Sequence, residues 1–151
     1  MSNNLPVSAS VPASVQARVP ASDPAPAVSP AAPTALVVDD SRAEQRLIAA
    51  LLAQMGMTVA AVDSGESALV WLAHQTPDVL VIDVVMPGMS GFDLCRQLRA
   101  RPETAQVPVI FCTSKDQDFD RFWGLRQGGS VYLTKPFAPQ DLIAAVTSCL
   151  A

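Results

Sequence analysis

With 151 residues, half of them hydrophobic, the chain can build one well-packed domain but not two. Its net charge of −4 argues against nucleic acid or an anionic membrane surface as the main partner. Three widely spaced cysteines (Cys95, Cys112, Cys149), no Cys-x-x-Cys pair and a single histidine exclude a conventional zinc site and suit packed, reduced thiols in the cytosol.

Residues 1–33 differ in kind from the rest of the chain. They hold 7 of the 13 prolines, are otherwise mostly Ala, Ser and Val, and carry only Arg18 and Asp23 as charges. Such a segment buries too little surface to offset its ordering entropy, so a disordered, partly extended tail is expected. It has no charged n-region leading into an apolar run, and no stretch of the chain reaches the roughly 20 apolar residues a membrane span needs. A cytoplasmic protein with no membrane insertion is the expectation.

From residue 34 to 151 the pattern becomes regular. Ala35 to Val38 is a short buried strand ending in Asp39-Asp40. Ser41 is a suitable N-cap, with Glu44 three residues on in a capping-box pattern. The next helix sets Leu47, Ile48, Leu51, Leu52 and Met55 on one face, and Gly56 stops it. Thr58 to Val62 reads as a second strand. Ser64 and Glu66 open a second helix with Ala68, Leu69 and Leu72 inward, and His74 near its end is best read as solvated.

Val79 to Ile82 is four apolar residues, three of them β-branched, which suits a strand buried on both faces. It ends in Asp83, and Pro87-Gly88 marks a turn. A third helix from about Ser90 has Phe92, Cys95 and Leu98 on one face and Arg96, Arg99 and Arg101 outward. Val107 to Cys112 is a fourth strand, with Thr113-Ser114 directly after it. A fourth helix carries Phe119, Phe122 and Trp123 in i, i+3, i+4 register and ends at Gly128-Gly129. Ser130 to Thr134 is the fifth strand, Lys135-Pro136 a turn, and Leu142, Ile143, Val146 and Leu150 the inner face of a last helix.

Five strands alternating with five helices on short connections imply a doubly wound α/β fold with a five-stranded parallel sheet. Helices on both faces require the strand order to reverse, and ligands bind at that point, beyond the C-terminal strand ends. Every polar residue that punctuates an apolar strand here does so at such an end: Asp39-Asp40, Asp83, Thr113 and Lys135. One rim of the sheet therefore collects three carboxylates, a hydroxyl and an ammonium.

Two carboxylates about 4 Å apart repel by roughly 4 kcal/mol at an effective dielectric of 20. Lys135 offsets part of this, and an oxygen-only cluster with waters suits Mg²⁺ better than zinc or copper. With both cations present, a carboxylate can accept a phosphoryl group, and Thr113 adds a neutral donor to the same group.

Asp39-Asp40, Asp83 with Met86-Pro87-Gly88, Thr113, Tyr132 and Lys135-Pro136-Phe137 resemble the receiver domain of two-component response regulators, in order and spacing, over residues 35 to 150. The resemblance implies a flavodoxin-like (βα)5 fold with strand order 2-1-3-4-5. It implies Asp83 as phosphoacceptor, with Asp40, Asp83 and the Val85 carbonyl binding Mg²⁺ and Asp39 assisting through water. Lys135 would pair with the phosphoryl group and precede a cis proline. Thr113 would move toward that group and Tyr132 would swing inward, changing the face made by the fourth helix, fifth strand and last helix.

The stretches Ser114 to Gly124 and Tyr132 to Phe137 look most like the stand-alone receivers of type IV pilus twitching-motility systems. Two positions depart from the wider family: Val85 lacks a polar side chain and Lys115 is a cation, both beside the path of the attacking water. An altered phosphate lifetime is the expectation. The periodic pattern stops just before Ala151, so no output domain is expected beyond it. A phosphorylation switch is therefore expected, charged by a sensor histidine kinase and read by a protein partner, rather than an enzyme; the alternative is a phosphate sink for a shared kinase. Nucleic acid is not an expected partner.

Overall fold

The computed structural model describes residues 31–151. The tail expected over residues 1–33 falls almost wholly outside them. Five strands are present: β1 (Thr34–Val38), β2 (Thr58–Val62), β3 (Val79–Ile82), β4 (Val109–Thr113) and β5 (Val131–Thr134). They alternate with α1 (Arg42–Gln54), α2 (Gly65–Leu72), α3 (Gly91–Arg99), α4 (Asp118–Arg126) and α5 (Pro139–Leu150). All neighbouring strands pair in parallel, in the order β2-β1-β3-β4-β5. The doubly wound (βα)5 expectation and its strand order are met. Among the described residues no helix is long and apolar enough to cross a membrane.

Strand side chains alternate between the two faces, and the sheet divides the core accordingly. Leu36, Val38, Leu80, Ile82, Val109 and Phe111 face α2 and α3, meeting Ala68, Leu72, Leu94 and Leu98. Ala35, Val37, Val79, Val81 and Ile110 face α1 and α5, meeting Ile48, Leu52, Leu142 and Val146. β1 and β3 are buried on both sides, which is why they read as unbroken apolar runs. Because β1 pairs with both β2 and β3, the chain reverses its direction of travel across the sheet there. The crevice that results lies above the C-terminal ends of β1 and β3.

Several side chains sit elsewhere than helical spacing alone suggests. Leu47, Ile143 and Leu150 stand exposed, and Ala145 takes the inward place on α5 beside Leu142 and Val146. Phe119, Phe122 and Trp123 also face outward, so α4 rests on the sheet through small or polar residues, Gly124 and Asp120. A Cβ on Gly124 would come within 2.9 Å of the Tyr132 ring, so only glycine allows that approach. Arg99 does not look outward. It donates to the carbonyls of Thr104, Ala105, Val107 and Gly128, tying the end of α3 to the starts of β4 and β5. Finally, Ser41 Oγ accepts from the Glu44 amide at 3.3 Å, but the Glu44 carboxylate does not return to close the capping box.

Candidate functional site

The crevice is built from four strand ends. Asp39 follows β1, where its amide donates to Val62 O of β2; Asp83 follows β3, its amide donating to Val38 O of β1 at 2.9 Å. Lys135 follows β5, its amide donating to Thr113 O of β4 at 2.7 Å. The parallel ladder therefore continues one residue past the strands and fixes where each side chain begins. Gly91, at the start of α3, sits so close that a Cβ there would lie 2.3 Å from the Asp83 carbonyl oxygen. The helix start is thus packed directly against the backbone that carries Asp83.

The three aspartates meet. Asp39, Asp40 and Asp83 each offer an oxygen, all within 4.8 Å of one another, with Asp39 buried and Asp40 exposed. Asp39 is held from both sides: Oδ1 accepts from the Ser41 amide at 2.9 Å and Oδ2 from Lys135 Nζ at 2.8 Å. The Gln45 amide group donates to Asp39 O and Val62 O, fixing the loop itself. Lys135 Nζ also lies 3.3 Å from Glu44 Oε1 and 3.8 Å from Asp83 Oδ2. Thr113 is fully buried at the end of β4, where its Oγ1 accepts from the Lys115 amide at 3.4 Å. Asp39, Asp40, Glu44, Asp83, Ser114 and Lys135 line an open pocket of about 510 Å³.

Charges in this pocket act on one another. Burial pushes the Asp83 carboxyl above the usual carboxylate range; the Asp39 charge pushes the same way, while Lys135, Thr113 and the Val85 amide pull against it. For Lys135, burial pulls the ammonium down. The Asp39 hydrogen bond and the charges of Asp83, Asp39 and Glu44 outweigh that and hold it above its ordinary value. Three carboxylates sharing an oxygen-only donor set suit a hard divalent cation such as Mg²⁺.

Tyr132 is already inward, 7% exposed, its hydroxyl donating to Lys115 O at 2.8 Å and the Arg121 guanidinium lying over its ring. Burial raises the Tyr132 hydroxyl to about 12, so it stays a donor. Lys135-Pro136 is cis, as the resemblance implied. Val85 is more than half exposed, its amide donating to Asp83 Oδ1 at 3.4 Å, and the Lys115 ammonium lies 3.8 Å from Asp120. Sequence reasoning missed Glu44 at this site, having given it to the helix cap. Its spacing carried the signal, since it stands in the first turn of α1, about one helical turn beyond Asp40.

A parallel sheet in this order, with an acidic crevice above the C-terminal ends of β1 and β3, is a doubly wound, flavodoxin-like architecture with its polar site at the point where the strand order reverses. The family model of the response regulator receiver domain matches residues 35–147, and the chain belongs to that family. It is a receiver domain of two-component signalling, a signalling protein whose acidic pocket is of the kind in which receivers bind Mg²⁺.

Among characterised relatives, the Pseudomonas aeruginosa protein PilH is 40% identical over 116 residues, covering 77% of this chain and 96% of PilH. Response regulator PleD of Caulobacter vibrioides is 42% identical over 113 residues, 75% of this chain but only 25% of PleD. The solved structure of chemotaxis protein CheY4 from Vibrio cholerae superposes with a TM-score of 0.75 at 28% identity, covering 80% of this chain and all of CheY4 (100%).

Proposed function

We propose that this chain takes a phosphoryl group onto Asp83 from the phosphohistidine of a sensor kinase. The observation that carries the reading is the meeting of Asp39, Asp40 and Asp83 within 4.8 Å beside the Lys135 ammonium. An Asp83 oxygen attacks phosphorus, the bond from phosphorus to the donor's nitrogen breaks, and the electron pair leaves with the imidazole. Lys135 donates to a phosphoryl oxygen from one side and the Thr113 hydroxyl from the other. Asp39, Asp40, Asp83 and the Val85 carbonyl would hold Mg²⁺, which supplies positive charge that stabilises the phosphoryl oxygens.

The output is a protein-binding surface on α4, β5 and α5. The exposed Phe119, Phe122 and Trp123 support this, since large outward aromatics in a single helix suit a partner better than water. With the resemblance to twitching-motility receivers and the 40% identity to PilH, the process proposed is pilus-driven motility or a related chemotactic response in the cytoplasm. One observation favours a second reading, the phosphate sink. Tyr132 already lies inward, so phosphorylation need not rearrange that face. A partner that binds only the phosphorylated chain separates the first reading from the second. Val85 and Lys115 beside the pocket are proposed to set phosphate lifetime.

The test is intact mass after incubation with Mg²⁺ and a small phosphodonor. Wild type gains one acid-stable, base-labile phosphoryl group and Asp83→Asn gains none. Equal gain in both removes Asp83 from this role.

A further inference from the structure

Resting on the reading of Asp83 as acceptor, one group in the pocket is still without a task. Glu44 belongs to neither the metal-type cluster nor the helix cap. Its carboxylate lies 3.3 Å from Lys135 Nζ, nearer than Asp83 at 3.8 Å. An ammonium has three donors. Asp39 engages one at 2.8 Å and Glu44 and Asp83 face the remaining pair, so a phosphoryl oxygen that needs Lys135 must compete with a carboxylate already there.

The charge balance makes this competition consequential. The pocket holds four carboxylates, Asp39, Asp40, Glu44 and Asp83, against the one ammonium of Lys135. Asp39, Asp40 and Asp83 have oxygens close enough together to share a cation, whereas Glu44 stands outside that group. Its side chain is 41% exposed, so it stands on the solvent side of the pocket and still reaches a Lys135 that is 15% exposed. A negative charge there would repel an incoming anion, and it already occupies the Lys135 ammonium.

We propose that Glu44 is a specificity-determining residue for phosphoryl uptake: it screens donors by charge and competes with them for Lys135. It therefore disfavours doubly charged small acyl phosphates relative to donors of lower net charge. Two small probes differ in this respect. Acetyl phosphate is a dianion near neutral pH, and phosphoramidate, with its protonated nitrogen, carries a single net negative charge. In both, an Asp83 oxygen bonds to phosphorus. The P–O bond of acetyl phosphate breaks and acetate leaves with the electron pair; the P–N bond of phosphoramidate breaks and ammonia leaves with it.

The experiment compares the full chain as wild type, Glu44→Gln and Glu44→Asp. It measures phosphorylation rate with each probe at saturating Mg²⁺, and Mg²⁺ affinity by calorimetry. Glu44→Gln speeds uptake from acetyl phosphate by about threefold or more at low salt and from phosphoramidate by a clearly smaller factor, a size set by one half-exposed charge. Added salt narrows the gap between the probes. Mg²⁺ binding by Glu44→Gln is no tighter than wild type, so the gain in rate cannot come from the metal. Glu44→Asp, which keeps the charge, stays within about twofold of wild type.

Unchanged rates in Glu44→Gln, equal acceleration with both probes, or slowing with both accompanied by weaker Mg²⁺ binding would each overturn the role of Glu44. Wild type that takes up no phosphoryl group from either probe instead defeats the assignment of Asp83 on which the role rests.

Discussion

At the N-terminal rim of the sheet, one guanidinium serves neutral acceptors. Arg99 spreads its nitrogens over the carbonyls of Thr104, Val107 and Gly128 at 3.0, 2.7 and 2.7 Å, and Asp78 Oδ2 accepts from the Thr34 amide at 2.7 Å. At the C-terminal rim, one ammonium serves several anions, since Lys135 lies within 4.0 Å of Asp39, Glu44 and Asp83. Charge at the first rim is used up in satisfying backbone. At the second it is left in excess, and an excess of negative charge is what draws a cation and makes a nucleophile. The same fold thus has one end built for stability and one end that gives up stability for chemistry.

Removing charge should therefore act oppositely at the two ends. The larger effect belongs to Arg99→Ala, which leaves several partly buried carbonyls without a donor. It should lower unfolding free energy in urea by about 2–3 kcal/mol. Arg99→Lys should recover only part of this, because a single ammonium cannot reproduce the fork. If Arg99→Ala were as stable as wild type, the N-terminal rim would not be held as described.

At the other rim, Asp83→Asn should stabilise the metal-free protein at neutral pH, by an amount on the order of 1 kcal/mol, because it removes a charge whose burial Lys135 does not fully offset, while Lys135 keeps Asp39 and Glu44. The sign follows from burial, which raises the Asp83 carboxyl in the folded chain. Folded protein then holds that proton more readily than unfolded, so ionisation costs stability above the raised value. The cost, and with it the advantage of the Asn variant, fades as pH falls through that value and is gone below the ordinary 3.8. Denaturation curves in chelator at several pH values measure this. A constant difference across pH would contradict it.

The contrast between the rims also bears on how much the chain reveals before it folds. The sheet and its acidic rim were legible because β1, β3 and β4 are buried on both faces and each ends abruptly in a polar residue. Parallel pairing does the rest, bringing ends that are distant in sequence to one edge. Side-chain reach was not legible. Glu44 fits a capping box by spacing, but an ammonium beside an acidic crevice offers it more than a backbone amide does. Arg99 sits among outward arginines in the sequence, and only the fold reveals carbonyls within its span. Leu47, Ile143 and Leu150 follow helical spacing yet stand exposed, because periodicity locates an apolar stripe without fixing its width. The position of Tyr132 was likewise a matter of tertiary packing, set by Gly124, Lys115 O and Arg121.

Uptake of a phosphoryl group requires the loops after β1 and β3 to offer their carboxylates jointly to a cation. Calorimetric titration of the full chain with Mg²⁺ examines this without any phosphodonor. Saturable binding at millimolar concentration or below, weakened about tenfold or more by Asp40→Asn, a loss worth roughly 1.4 kcal/mol or more, is the predicted result. Binding that Asp40→Asn leaves unchanged, or no saturable heat from wild type at all, would contradict it.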